Sequence, residues 1–344
     1  MKKMMLTFVG AVGMTAGAAQ AQGSVTIYGV VDAGIVRESG GVAGPITKLT
    51  SGVESGSRLG FKGVEDLGGG MAAFFILESG FTIDTGALGQ GGALFGRTSV
   101  VGLRQDRSAV TLGRQYTPLA NAQVENDPFV TGLAGQSSNL ISAGGVSGNN
   151  RMTDTVKYTY GGVTGLNSEL AYGFGEVAGS STASRQLGAA IGYGTGALNV
   201  KLAWASVNSS SSANGRDIFL GARYNFGAVT GYLNYAINKN NSVMGTVNKD
   251  SRDYLVGAVI PVAVVHKFIV SYIKKQDRTA QHNDASQIGL GYTYALSKRT
   301  DLYATYAHIR NHAAAGTTGF YTVGNATELG SGNQAMGVGI RHLF

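Results

Sequence analysis

The chain has no cysteine and only four prolines among its 344 residues. Without cysteine, neither a disulfide framework nor a cysteine-ligated metal can stabilise it. Charged residues make up 14% of the chain, well below the roughly 25% that is typical of soluble domains. Beyond the first 21 residues no run of 18 apolar residues occurs, which excludes a membrane-spanning helix. These absences argue against both a small disulfide-rich domain and a helical membrane protein.

The first 21 residues have the composition of a secretory signal peptide. Lys2 and Lys3 give a basic start, residues 4–19 are apolar and small, and Ala19-Gln20-Ala21 matches an A-x-A cleavage site. We therefore expect a mature chain of residues 22–344 that forms one domain. Because the leader holds two lysines and no acid, its removal lowers the net charge from +7 to +5.

Apolar and polar residues alternate with a period of two over most of the mature chain. In 287–296, QIGLGYTYAL, isoleucine, leucine and tyrosine occupy every second position. Such segments of about nine to eleven residues suit tilted strands that cross a bilayer. We count sixteen of them: 24–36, 52–64, 70–80, 94–104, 108–116, 151–161, 166–177, 185–194, 197–207, 216–226, 228–238, 252–262, 264–275, 284–296, 300–311 and 334–344.

The connections between these segments alternate between short and long. The long ones are 37–51, 81–93, 117–150, 239–251 and 312–333. Short periplasmic turns and long extracellular loops are typical of an outer-membrane barrel. The sequence therefore predicts an all-β fold, a transmembrane antiparallel β-barrel of sixteen strands. Segment 117–150 is long for a surface loop without structure, which favours a functional role.

The C-terminal stretch GVGIRHLF ends in an alternating pattern. Phe344 shares one parity with Val338, Ile340 and His342. A barrel must close on itself, because an open sheet edge cannot be satisfied in lipid. We therefore expect the last strand to pair with the first, with Phe344 at the closure as an assembly signal, an aromatic-girdle residue, or both.

Four stretches together resemble general porins of the β-proteobacterial type. They are SVTIYGVVDAGI, SGSRLGFKGVEDLGGGMAAFFILESGF, FGRTSVVGLRQDRSAVTLGRQYTP and the terminal GIRHLF. The resemblance implies a homotrimer in the outer membrane through which small hydrophilic solutes and ions diffuse passively. It also implies that the third loop, here 117–150, folds into the barrel and narrows the pore.

Several basic residues share the parity that faces away from lipid. Alternation places Arg58, Lys62, Arg97, Arg151 and Lys157 on the inward face, because a charge on the lipid face at mid-depth costs about 2–4 kcal/mol. The resemblance implies three wall arginines at the constriction, and these map to Arg58, Arg97 and Arg151. The parity of a further arginine, Arg114, is outward, so it is either a constriction residue beyond the membrane end of its strand or a structural anchor.

Acidic residues decide how far this positive charge acts on ions. Glu78 lies on the wall, and Glu125 and Asp127 lie in the predicted constriction loop. A ring of fixed positive charges in a narrow pore concentrates anions, whereas acids paired with it weaken that selectivity. The basic excess favours anions. The alternative for each arginine is a lumenal salt bridge that only stiffens the loop.

Three other functions compete with a general porin. A substrate-specific anion or organic-acid channel has the same fold, an adhesin would have a blocked pore, and a rim enzyme would need a catalytic group. His282 lies near Asp284, and His308 and His312 lie near the last long loop, but no nucleophile motif accompanies them. We therefore expect no enzyme activity, cofactor, metal or nucleic acid, and we expect outer-membrane lipids, lipopolysaccharide and small anions as partners.

Overall fold

The computed structural model describes residues 24–41, 44–141, 150–162, 165–208, 214–243, 246–312, 321–323 and 332–344. The expected signal peptide and Gln22 lie outside these residues, as do 142–149 of the predicted constriction loop. Among the described residues there is almost no helix. None of the helices described is long and apolar enough to cross a membrane.

Eighteen strand segments make up the fold. They are β1 (Ser24–Ser39), β2 (Ile46–Ser51), β3 (Arg58–Gly68), β4 (Met71–Gly80), β5 (Thr98–Gln105), β6 (Ser108–Tyr116), β7 (Arg151–Met152), β8 (Thr155–Gly161), β9 (Leu166–Gly173), β10 (Gln186–Gly194), β11 (Leu198–Val207), β12 (Gly215–Asn225), β13 (Thr230–Val243), β14 (Thr246–Val262), β15 (His266–Asp277), β16 (Asp284–Ala295), β17 (Thr300–His312) and β18 (Gln334–Leu343). One α-helix, α1 (Pro118–Asn126), and two single 3-10 turns, Gln90–Gly92 and Ser137–Asn139, complete the described elements.

The eighteen segments form sixteen wall strands, each antiparallel to its neighbours. β2 and β3 both pair with β1 and make one wall strand that residues 52–57 interrupt. β7 and β8 both pair with β6 and make a second interrupted strand. β1 also pairs with β18, so the barrel closes and the sixteen-strand prediction is confirmed.

Phe344 lies at this closure. Its N–H donates to the carbonyl of Gly29, and the N–H of Gly29 donates to the carbonyl of Phe344, both at 3.1 Å. The Phe344 ring covers Gly29, where an added Cβ would come within 2.3 Å of the ring. The first and last strands therefore meet in main-chain and side-chain contact.

Several predicted boundaries differ from the structure; for example, the predicted strand 94–104 begins at Thr98 and the predicted strand 166–177 ends at Gly173. β1 extends to Ser39 and β2 begins at Ile46, while β13 extends to Val243 and β14 begins at Thr246. The segments 37–51 and 239–251 are therefore not long loops. The predicted strand 52–64 instead begins at Arg58. In the two hairpins, strand ends beyond the apolar band keep their main-chain pairing but lose the alternation by which a sequence reveals them.

The two faces of the wall differ in composition. Outward positions carry exposed apolar side chains, such as Ile27, Val101, Leu170 and Leu290, as a barrel surrounded by lipid requires. Inward positions carry polar and charged groups such as Glu78, which water or other polar groups inside the barrel must satisfy.

The segment 117–141 lies against the inner wall. α1 begins where Thr117 Oγ1 accepts the N–H of Ala120 at 3.0 Å, with Pro118 in the first turn. The helix packs against β9 to β13. Beyond it, the N–H of Leu133 donates to the carbonyl of Val53 in the interruption between β2 and β3, at 2.5 Å.

Inward glycines on alternate strands let this segment approach the wall closely. A Cβ at any of these glycines would lie within 2.7 Å of an atom of the segment. The four contacts are Gly188 with Pro118, Gly221 with Asn126, Gly257 with Pro128 and Gly289 with Gly135. Apolar side chains of the segment and of the wall fill the space beside these contacts and form the buried core.

Candidate functional site

Glu78, at the end of β4, holds two groups of the barrel interior. Arg97 Nε donates to Glu78 Oε1 at 2.7 Å, and Tyr28 Oη donates to Glu78 Oε2 at 3.1 Å. The main chain fixes the same pair, since the N–H of Arg97 donates to the carbonyl of Glu78. Both charged side chains are at least nine-tenths buried. Arg97 is thus fixed in place by a salt bridge.

Tyr116, the last residue of β6, joins two of the arginines. Its hydroxyl accepts from Arg151 Nη2 at 2.5 Å and from Arg97 Nη2 at 3.4 Å. The Arg151 guanidinium also lies over the Tyr116 ring, 4.1 Å from its centroid, and its Nε donates to the carbonyl of Arg97. Sequence reasoning did not identify Tyr116. Its position next to the predicted constriction loop was the available signal.

Three more bases border this group and are held by neutral partners. Arg58 Nε donates to the carbonyl of Gly56 at 3.0 Å, Arg114 Nε donates to the carbonyl of Gly96 at 2.7 Å, and Lys62 Nζ lies 5.4 Å from the Tyr28 ring centroid. Within the part of the chain that the structure describes, none of these three bases has a carboxylate at salt-bridge distance.

We name this set the arginine cluster: Arg58, Lys62, Arg97, Arg114 and Arg151 with Glu78, Tyr28 and Tyr116. Electrostatic repulsion from Arg97 acts on both Arg58 and Arg151, and Arg114 repels Arg151 as well. Glu78 is the carboxylate described in contact with the cluster. The cluster therefore concentrates positive charge on one side of the barrel interior.

The charges next to the cluster, on β8, β9, β11 and α1, are matched. Lys201 Nζ on β11 lies 2.7 Å from Glu125 Oε1 on α1 and 3.5 Å from Glu169 Oε1 on β9. Lys157 Nζ on β8 lies 3.6 Å from Glu169 Oε2, which also accepts from Asn121 Nδ2 at 2.8 Å. We name Lys157, Lys201, Glu125 and Glu169 the lysine–glutamate network. Its two lysines and two glutamates cancel, and it ties α1 to the wall.

Asp127 makes its hydrogen bonds inside segment 117–141 and does not lie on the lumenal surface of that segment. The side chain is almost fully buried. Its Oδ1 accepts the N–H of Phe129, and its Oδ2 accepts the N–H groups of Thr131 and Ser137, all at 2.9–3.0 Å. Burial raises the pKa of this carboxyl, although the three donors oppose the shift. Asp127 therefore fixes the turn after α1.

His282 and Asp284 lie at the hairpin between β15 and β16. Asp284 Oδ1 accepts the N–H of Asp277 at 2.8 Å, which is a turn contact. Among the described residues no three His, Asp or Glu side chains converge as a metal site requires.

Comparison with known proteins identifies the family. A sequence profile described as Gram-negative porin matches residues 7–314. The chain belongs to the Gram-negative porin family. The porin is 33% identical over 360 residues to outer membrane porin protein 32 of Delftia acidovorans, and the alignment covers 100% of both chains. Its location is therefore the outer membrane.

Two solved structures extend the comparison. The anion-selective porin from Comamonas acidovorans superposes with a TM-score of 0.80 at 30% identity, covering 94% of this porin and 100% of that chain. The trimer form of OmpT from Vibrio cholerae gives a TM-score of 0.68 at 16% identity, covering 94% and 99%. The latter likeness concerns the fold alone. These relatives are porins, which are channels rather than enzymes.

Proposed function

We propose that this outer-membrane porin is a water-filled channel for small hydrophilic solutes and that it prefers anions. The carrying observation is the difference in charge pairing between the arginine cluster and the neighbouring lysine–glutamate network. The arginine cluster sets five bases against Glu78, whereas the lysine–glutamate network balances its own charges. The anion-selective porin with 30% identity supports the same preference.

The mechanism is electrostatic. Segment 117–141 narrows the lumen, so a passing ion comes close to the wall. At an effective dielectric constant of about 40, a fixed charge about 8 Å away stabilises an anion by ~1 kcal/mol. Arg58, Lys62 and Arg114 supply positive charge without a described carboxylate partner. Arg97 and Arg151 add theirs in a geometry that Glu78 and Tyr116 hold.

A substrate-specific anion or organic-acid channel is the second candidate. The observation that favours it is that the arginine cluster combines guanidinium groups with phenol hydroxyls. Such groups can bind a carboxylate or a phosphate through directional hydrogen bonds. In such a channel the flux of one organic anion would saturate at concentrations at which the chloride flux still rises linearly. Flux measurements with acetate, succinate and phosphate distinguish the two candidates.

The test of anion preference is the reversal potential in a planar bilayer under a tenfold KCl gradient. We expect an anion-selective sign for the wild type, below the limit of about 59 mV. Arg58→Ala with Arg97→Ala should move this potential at least halfway to zero. The matched control, Lys298→Ala with Arg299→Ala, removes two exposed turn charges and should leave it unchanged. A cation-selective wild type would overturn the preference and retain the channel.

The assembly completes the proposal. The mature chain begins at Gln22, forms a homotrimer and contacts outer-membrane lipids, with Phe344 closing each barrel. The trimer form known for OmpT of Vibrio cholerae supports the oligomer. Intact-mass measurement of the purified protein tests the cleavage after Ala21. Electrophoresis of unheated samples tests the trimer, which should migrate near three times the mass of the mature chain, itself slightly below the 35.5 kDa of the full chain.

A further inference from the structure

Two carboxyl groups on the inner wall, those of Glu54 and Asp301, share one arginine. Glu54 lies in residues 52–57, which interrupt the wall strand between β2 and β3, and Asp301 lies at the start of β17. Arg341 Nη1 on β18 lies 3.2 Å from Glu54 Oε1, and Arg341 Nη2 lies 2.6 Å from Asp301 Oδ2. We name Glu54 and Asp301 the carboxyl pair. One guanidinium balances the charge of only one of the two carboxylates.

The contact between the two carboxyls requires a proton. Only 11% of the Glu54 side chain and 13% of the Asp301 side chain are exposed, and the two side chains are hydrogen-bonded to each other. Among the described residues no N–H group donates to Glu54 Oε2 or Asp301 Oδ1, and both atoms are buried. Ionised carboxylates only accept hydrogen bonds, so two of them bond to each other only when one carries a proton. The pair is thus arranged to share one proton.

The other titratable groups around the pair have partners of their own. Asp32 Oδ1 on β1 accepts from Tyr303 Oη at 2.7 Å. Asp32 Oδ2 accepts the N–H groups of Glu54 and Ser55 at 2.9 and 2.7 Å. Three donors favour the ionised form of Asp32, so it does not compete for the proton. With Arg341 as the base, the three acids leave one net negative charge when the proton is present and two when it is absent.

The interruption brings this charge next to the arginine cluster. Ser55, the neighbour of Glu54, accepts from Arg58 Nη2 through its hydroxyl. In the same interruption the carbonyl of Val53 accepts the N–H of Leu133, which lies in the segment after α1. A charge that appears on Glu54 therefore acts beside both elements that define the proposed pore.

We propose that the carboxyl pair holds one proton at neutral pH and releases it to lumenal water as the pH rises, which weakens the preference for anions. Release leaves two adjacent carboxylates against one guanidinium, so the proton is held well above about pH 4, the ordinary value for a carboxyl. The added negative charge repels anions beside the arginine cluster. The inference rests on the proposed function, because it assigns a second pair of residues to the control of the same ion preference.

Two amide variants imitate the protonated pair. In Glu54→Gln the amide nitrogen can donate to Asp301 while the amide oxygen still accepts from Arg341, and Asp301→Asn does the same from the other side. Each variant keeps the shape of the pair and fixes its charge. Glu65→Gln is the matched control, because it removes one exposed acid near the short-turn end of β3 and leaves the pair intact.

The first measurement detects the proton directly. Infrared difference spectra of the mature porin in detergent, wild type against Glu54→Gln, should show the carbonyl stretch of a protonated carboxyl at neutral pH and lose it in alkaline buffer. Wild type against Glu65→Gln should show no such band. Absence of the band from the first comparison at neutral pH would overturn the inference whatever the ion preference, so its failure is distinct from failure of the proposed channel.

The second measurement is the reversal potential under a KCl gradient from about pH 6 to about pH 9. We expect the anion-to-cation permeability ratio of the wild type and of Glu65→Gln to fall about two- to fivefold over this range, and that of both amide variants to stay nearly constant. A fall of the same size in both amide variants would overturn the inference. A cation-preferring wild type whose ratio falls only when the pair is intact would overturn the proposed anion preference and support the proton release. Unheated electrophoresis checks folding, and Asp301→Asn replaces Glu54→Gln in both measurements if the latter does not fold.

Discussion

Two neighbouring charged regions inside the barrel use basic and acidic side chains differently. In the lysine–glutamate network each base has a carboxylate partner, and these contacts tie α1 to β8, β9 and β11. In the arginine cluster, main-chain carbonyls and tyrosines hold most of the bases. A matched charge positions the chain. A charge held by neutral groups stays available to a passing ion.

Because the two regions pair their charges differently, the rigidity of segment 117–141 and the ion selectivity depend on different residues. Segment 117–141 is held by Asp127, by the lysine–glutamate network and by close contacts with wall glycines. The network has no net charge, the glycine contacts carry none, and the charge of Asp127 is buried inside the segment. In the proposed mechanism the arginine cluster supplies the selectivity charges. A variant can therefore alter one property with little effect on the other.

The largest expected effect comes from reversing a charge in the network. Lys201→Glu places three carboxylates around α1 and takes the network from zero to two negative charges. Breaking buried pairs of this kind costs about 3–5 kcal/mol. We expect α1 to move from the wall and the reversal potential to shift toward cations. Retained wild-type selectivity would show that the network lies away from the ion path.

Loss of the loop anchor should have the next largest effect. In Asp127→Asn an amide nitrogen replaces one of the two oxygens that accept N–H groups, leaving at least one donor unpaired, at about 2–3 kcal/mol. Segment 117–141 should loosen, with higher and noisier single-channel conductance but the same ion preference. Asp84→Asn, in an exposed loop, is the control. A conductance as quiet as that of the wild type would contradict the anchoring role.

Removing Glu78, the acid of the arginine cluster, should increase the difference in net charge between the cluster and the lysine–glutamate network. Glu78→Gln keeps an oxygen that can accept from Arg97 but removes a negative charge, which changes the energy of a nearby anion by about 1 kcal/mol. The anion-to-cation permeability ratio should rise by up to about fivefold. A fall in the ratio would mean that Glu78 acts mainly by orienting Arg97.

The smallest effect is expected from a neutral double change. Lys201→Gln with Glu125→Gln removes one matched pair and leaves Lys157 with Glu169. The net charge of the network stays zero, so the reversal potential should remain at its wild-type value within error. A clear shift toward cations would indicate that Lys201 contributes unmatched charge to the pore, and the network would then resemble the arginine cluster.

Alternation in the sequence predicted the wall well. It predicted an inward position for Arg58, Arg97, Arg151 and Lys157, because a period of two fixes which side of a strand a residue occupies. Arg97, however, precedes β5 and shares the parity of the exposed Val101 and Leu103, so alternation does not account for its contact with Glu78. Arg114 was ambiguous by parity. In the structure its guanidinium binds the carbonyl of Gly96 beside the cluster.

The contacts of segment 117–141 were beyond such reasoning. Glu125 and Asp127 were equal candidates for lumenal acids, yet one pairs with Lys201 at the surface of the segment and the other is buried under three N–H donors. Their roles depend on the turn after α1 and on strands far along the chain. The spacing of residues along the sequence does not predict contacts between segments that are far apart in the chain.

The sequence by itself determined the barrel, its number of wall strands and the inward or outward face of most strand residues, because side-chain alternation and the cost of charge in lipid act locally. Tertiary structure alone decided which charges are matched. Closure brings α1 against β9 to β13, and the inward glycines admit it because they have no Cβ. Electrostatic pairing depends on distances of a few ångströms, which only the closed barrel defines.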